Sequence, residues 1–312
     1  MDAAAVARPA REALEPGAAP ALLPLFRELG HLKRLHSAGR RGSIASRLFR
    51  RSWTALLAGR PAKEVALATT AGALAAARLG DLDRYTLVSL GLSSDEAIAV
   101  QRRGLDEVSG VLDPSLAAAL RSAAREMAAD EGPVPAFVDA LDAQPRAGIT
   151  CPGRPRIVLQ PPENHAEHCL TVAVYGVLLA PAYGADAPTV FLAGLAHHLH
   201  NAAMPDSGFT GEMLLGAHLE PVMQRATCTA LDEIAEPLRS EVERARAILP
   251  DAGTPEGRAF HAADVLDRVL EIEQHLVAPS LTMDRVLGEM ALVHDGPVKP
   301  FHDRVLAEMG LT

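Results

Sequence analysis

The apolar residues of this chain are mostly Ala, Leu and Val, and they recur with the spacing of one helix face after another. Apolar types make up 48% of the 312 residues, yet aromatic residues only 4%. Ala and Leu favour helices, whereas strands draw on β-branched and aromatic side chains. No stretch alternates apolar and polar residues as a half-buried strand does. The expected fold class is therefore all-α, and the length allows a sizeable core in one large domain or two small ones.

Local signals divide the chain into segments. Residues 1–19 are rich in Ala and Pro and read as a disordered tail. Leu22, Leu25, Phe26, Leu29 and Leu32 then form one helical stripe. After Gly39–Gly42, Ser43 is placed to cap a helix that turns Ile44, Leu48, Phe49 and Leu56 inward and Arg47, Arg50 and Arg51 outward. An Ala-rich helix is expected over about 63–78, a further one from Ser93-Ser94-Asp95-Glu96, and another from Asp113-Pro114. Residues 131–134 and 145–155 are Gly/Pro-rich breaks. The second break separates a helical N-terminal region, 20–147, from a helical bundle over 148–312. Helical patterns in the latter cover about 163–180, 188–201, 209–218, 221–248, 256–277, 282–293 and 299–309.

Ten of the twelve histidines follow residue 160. His168 lies at the start of a run that continues through Leu170, Val172, Ala173, Val177 and Leu178. His197 and His198 end the apolar run Leu192-Ala193-Gly194-Leu195-Ala196. A polar ring inside an apolar helix is costly unless it is hydrogen-bonded or ligated, and a shared cation would satisfy rings from separate helices together. Asp264 opens a third helix whose apolar stripe reads Ala262, Val265, Leu266, Val269, Ile272 and Leu276. By helical angle Asp264 lies roughly 80° outside that stripe, so spacing alone leaves it on a flank.

The segment Glu163-Asn164-x-Ala166-Glu167-His168-x-Leu170-x-Val172-Ala173 resembles the HD superfamily of metal-dependent phosphohydrolases, nearest its bacterial 5′-deoxynucleotidase branch. The resemblance extends through Leu192–Asn201 and Ala263-Asp264-Val265-Leu266 and covers about residues 150–310. It implies an HD-type helical bundle with a metal held by His168, His197, His198 and Asp264. It also implies a catalytic acid or base at Asp206 and substrate contacts at Arg154, Arg156 and Asn201. Two positions depart from the pattern. His198 stands where the family has the Asp of its His-Asp pair, and Asn201 where the branch carries a catalytic Glu. A three-His, one-Asp donor set favours a transition metal (Zn, Co, Mn, Fe or Ni) over Mg or Ca. With fewer anionic ligands the metal would be a stronger Lewis acid.

The activity so implied is hydrolysis of a small phosphorylated substrate such as a nucleotide. Two alternatives stand beside it. His165, His200 and His261 could act behind the first ligands or hold a second metal, as in the superfamily's di-iron oxygenases. The departures at His198 and Asn201 also suit a non-catalytic module that binds a nucleotide or a protein. His294-Asp295 is followed at once by Gly296-Pro297 and reads as a helix end, and His302-Asp303 lacks a preceding apolar run, so both pairs are set aside.

Charge and cysteine usage bound the remaining classes. Residues 1–60 carry 11 Lys+Arg against 4 Asp+Glu in a chain of net charge −9. The cluster Arg40, Arg41, Arg47, Arg50 and Arg51 is expected to pack on the acidic remainder or a second copy rather than on nucleic acid. Cys151, Cys169 and Cys228 show no metal or disulfide spacing. With no secretory signal and no apolar run long enough to span a bilayer, a cytoplasmic location is expected.

Overall fold

The computed structural model describes residues 20–124, 133–250, 252–277, 282 and 299–308. Its helices are α1 Leu23–Gly30, α2 Ile44–Leu57, α3 Ala62–Leu79, α4 Arg84–Ser89, α5 Ser94–Asp106, α6 Pro114–Ala123 and α7 Ala136–Ala143. They continue with α8 His165–Tyr183, α9 Ala187–Ala196, α10 Gly208–Leu215, α11 Leu219–Leu231, α12 Leu238–Arg246, α13 Pro255–Val277 and α14 Lys299–Glu308. The fold is all-α. No strand forms among the described residues, only isolated bridges such as Ile149 with Ile157. The expected tail 1–19, the pattern at 282–293 (apart from Thr282) and the pair His294-Asp295 lie outside the described residues.

The cap signals act as read. Ser43 accepts the Ser46 amide at 3.1 Å, and Asp113 accepts the amides of Ser115 and Leu116. Ser93 and Glu96 close a reciprocal capping box. One expected helix is two: the pattern over 221–248 breaks between Leu231 and Leu238. Pro237 lacks an N–H and disfavours helical backbone at the residue before it.

Two compact units divide the chain, one reaching Arg268 and the other beginning at Val269. The Gly/Pro-rich segment 145–155 is a surface connection, while α2 and α3 pack directly on α8 and α9 in one core. Phe49, Trp53 and Phe137 form an edge-on aromatic chain there, and Phe26 packs 4.3 Å from Tyr175. Tyr175 donates its hydroxyl to the Phe26 carbonyl. Helix α8 is apolar and long enough to cross a bilayer by composition, but 83% of that stretch is buried in protein, as in a central core helix.

The α8–α9 pair positions the later chemistry, and glycine makes it possible. A Cβ at Gly194 would stand 2.6 Å from Ala173 Cα, and one at Gly176 would stand 2.5 Å from Val190 Cγ1. Both distances are far inside van der Waals contact, so the helices meet only because these side chains are absent. Gly194→Ala is expected to push α9 away from α8 and lower unfolding stability by about 1–3 kcal/mol, measured by denaturant titration.

Arg40, Arg47, Arg50 and Arg51 of the arginine cluster are paired within the protein. Arg40 bonds Asp81 and Asp83 at 3.1 and 3.0 Å, Arg47 meets Asp81 at 2.6 Å, and Arg50 meets Asp139 at 2.6 Å. Asp83 also caps α4 through the Thr86 amide. Burial alone would raise the Asp83 pKa, but the Arg40 guanidinium and Thr86 outweigh it and hold it at about 2. A depressed carboxyl stabilises the fold above its unfolded pKa and loses that contribution as pH falls through the folded value. Asp83→Asn is therefore expected to be less stable than wild type at pH 7. The gap should close between about pH 4 and 2 in acid-unfolding curves.

Candidate metal centre

The polar run that opens α8 has four local tasks. Asn164 Oδ1 accepts the Glu167 amide at 2.9 Å, and Glu167 returns the bond to the Asn164 amide at 2.9 Å. This capping box starts the helix one turn before His168. Glu163, just outside the helix, pairs with Lys33 and lies 3.4 Å from Arg146. His168 then points into the core with no exposed surface. Helix α9 ends at Ala196, so His197 is its C-cap and His198 precedes the short turn Leu199–Ala202.

His168, His197 and His198 form a group that could hold a metal ion, their donor atoms lying within 4.8 Å of one another. Each ring has one nitrogen already committed. His168 Nδ1 meets Asp267 at 2.7 Å, His197 Nδ1 meets the Gly194 carbonyl at 2.7 Å, and His198 Nδ1 meets Asn201 Oδ1 at 2.7 Å. These acceptors fix Nδ1 as the protonated nitrogen and leave Nε2 with a lone pair. His168 Nε2 lies 3.1 Å from His197 Nε2 and 3.3 Å from Asp264 Oδ1, and His197 Nε2 lies 4.0 Å from the same oxygen. Donors at about 2.0–2.1 Å from one tetrahedral ion are about 3.3 Å apart. The spacing thus fits a shared cation.

The electrostatics favour neutral rings at His197 and His198, and a proton at His168 while no ion is bound. Burial first, then the neighbouring histidines, holds His197 and His198 well below the usual imidazole pKa. Burial would also lower His168, but its bonds to Asp264 and Asp267 outweigh that and raise it. Burial would raise Asp264, yet the bond to His168 prevails and lowers it. Glu163 is held at about 2, since Lys33 and Arg146 overcome its burial.

A second acidic group, Glu163 with His168 and Asp267, also has ligand-like spacing. It already contains a cation. The Lys33 ammonium pairs with Glu163 and lies 2.6 Å from Asp267 Oδ1.

The other expected residues are placed as follows. Asp264 is half-buried and does face the histidines, because α13 is turned differently from its apolar stripe. Val265, Val269 and Leu276 of that stripe are exposed, while Ala259, Phe260, Ala263, Asp267 and Leu270 are buried. The buried face carries paired carboxylates, and hydrophobic periodicity is blind to those. Asp206 accepts the amides of Ala147 and Gly208, both at 2.8 Å, and so shapes its own loop. Its Oδ2 also lies 3.6 Å from His165 Nε2. His165 is fully buried, and neither ring nitrogen has a hydrogen-bond partner. Burial, above all, pushes its pKa down to about 3, and that of His200 to about 4. The rings of His165 and His200 stand 4.9 and 5.5 Å from that of His198. His261 packs against Phe260, whose ring lies 5.3 Å from His197.

Neither loop arginine reaches into this cluster by any bond seen here. Arg154 is exposed, and Arg156 spends its guanidinium on the carbonyls of Ala147 and Ser207. Asn201 is buried with both amide atoms used, Oδ1 on His198 and Nδ2 on the Met204 carbonyl. Its Oδ1 thereby orients the His198 ring. Arg146 was not singled out from sequence, yet it is one of the cations near the site, at 3.4 Å from Glu163, with Arg268 at 3.8 Å from Asp264. Lys33 and Asp267 were also missed. The one available signal was a lysine directly after the Leu22–Leu32 stripe.

No family model, curated protein or solved structure matches this chain. Asn201→Ala removes the acceptor that orients His198 and is expected to weaken metal binding about 10-fold or more. Competition against a chelating indicator measures this.

Proposed function

We propose that this chain is a metal-dependent hydrolase of small phosphoesters, nucleotides among them, working in the manner of the HD superfamily. The observation that supports the reading best is the set of three imidazoles whose Nδ1 atoms are all engaged and whose donor atoms cluster, with Asp264 at 3.3 Å from His168 Nε2 and 4.0 Å from His197 Nε2. His168, His197, His198 and Asp264 would hold one divalent transition ion. Such an ion supplies a Lewis acid and a bound water of lowered pKa.

The chain's own groups have separate duties in this reading. Asp264 is the single anionic ligand, so the site keeps a positive balance that suits an anionic substrate. Arg146 takes the phosphoryl group that the sequence assigns to Arg154 or Arg156, since guanidinium offers paired donors to phosphate. Asn201 has no proton to give at neutral pH. Proton transfer falls to Asp206 acting with His165, whose ring nitrogens are free of protein partners. One ion is favoured over two because the Lys33 ammonium already fills the second acidic group.

Protein purified without added metal should carry about one transition-metal ion per chain by elemental analysis. With Zn, Co or Mn it should release phosphate from members of a panel of nucleoside monophosphates and sugar phosphates. His168→Ala should abolish release, and Arg146→Ala should raise KM more than it lowers kcat. Metal-loaded protein that releases nothing across the panel would defeat the hydrolase assignment. Two irons with oxygen uptake would replace it with oxygenation.

A further inference from the structure

Behind the candidate ligands lies a buried line of charge that crosses the whole sequence. Asp267 uses its two oxygens in opposite directions. Oδ2 accepts from His168 Nδ1 at 2.7 Å, and Oδ1 accepts from the Lys33 ammonium at 2.6 Å. Lys33 also pairs with Glu163, and all three charged side chains are almost wholly buried. Lys33 closes the turn His31–Lys33 after α1, so it comes from the N-terminal helices, to which the sequence assigns no role.

We propose that Lys33 is a positioning residue for the metal site, holding Asp267 in the orientation that keeps His168 Nδ1 protonated and its Nε2 turned to the ion. This rests on the reading of His168 as a metal ligand. Carboxylates that accept the far N–H of a ligating histidine fix its ring orientation and tautomer and raise its basicity as a ligand. Asp267 is placed to do this. A carboxylate with no exposed surface, however, is stable there only with a paired cation. No ordinary surface ion pair would need a lysine buried to this depth, because a lysine can reach water along its flexible stem. Without Lys33, Glu163 would keep Arg146, but Asp267 would face it with no cation between the two carboxylates. The N-terminal helices thereby become part of the metal site rather than an appended region.

The test measures zinc and cobalt affinity by indicator competition in wild type, Lys33→Met, Lys33→Arg, Asp267→Asn and the double variant Lys33→Met with Asp267→Asn. Asp267→Asn is expected to weaken binding about 10- to 100-fold. Lys33→Met should weaken it in the same direction and shift the visible spectrum of the cobalt-loaded protein, while Lys33→Arg restores much of both. The double variant should lose no more than Asp267→Asn alone, because Lys33 acts through Asp267. Circular dichroism and thermal unfolding of the metal-free variants report folding separately. Should the variants not fold, nitrogen-15 spectra of the zinc-loaded wild type decide: His168 is expected to carry its proton on Nδ1, and a proton-free Nδ1 overturns the proposal. Unchanged affinity in folded Lys33→Met and Asp267→Asn overturns it while leaving the metal reading intact. Wild-type protein that binds neither ion removes both.

Discussion

The site depends on the burial of His168. Its ring has no contact with water, so each nitrogen must find a partner inside the protein or leave a lone pair or proton unpaired at a cost of about 1–3 kcal/mol. Nδ1 is answered by Asp267. That answer brings a buried negative charge, which requires Lys33, and Lys33 in turn pairs with Glu163. Nε2 is left facing His197 and Asp264. One polar ring in a core helix thus sets demands on α8, α9, α13 and the turn after α1.

His198 and Asn201 stand out against the HD pattern as two separate departures. In the structure they touch, with Asn201 Oδ1 accepting from His198 Nδ1. An aspartate at 198 would need no such acceptor, whereas an imidazole needs one to hold its tautomer and angle. A neutral amide supplies it without adding charge. The two positions therefore act as one unit, an imidazole and the neutral amide that supports it.

Much of the fold is legible from residue spacing. Caps at Ser43, Ser93 and Asp113 and the apolar stripes of α2 and α8 report local energetics, and local energetics are encoded within a few residues. Helix α13 marks the limit. Its apolar stripe and its buried face differ because the buried face holds Asp267, whose charge is cancelled by groups far away in sequence. Arg146, Asp206 and Asn201 show the same limit. Arg146 carries no signal in the sequence, and Asp206 and Asn201 gain roles there only through the resemblance, while the structure shows that Asp206 supports a loop, Asn201 orients His198 and Arg146 lies against Glu163.

The amino-acid sequence by itself determined an all-helical chain whose histidines gather in its second half, with His168 and the His197-His198 pair set in apolar runs. Those properties follow from helix propensity and from the cost of burying a polar ring, and both act locally. Only the tertiary structure decided that Asp264 turns toward those rings and that Asp267, not a solvent molecule, engages His168. It also brought Lys33 from 234 residues away to balance that charge. These are pairings between distant elements, selected by packing and charge cancellation in a water-free core, and no local spacing carries them.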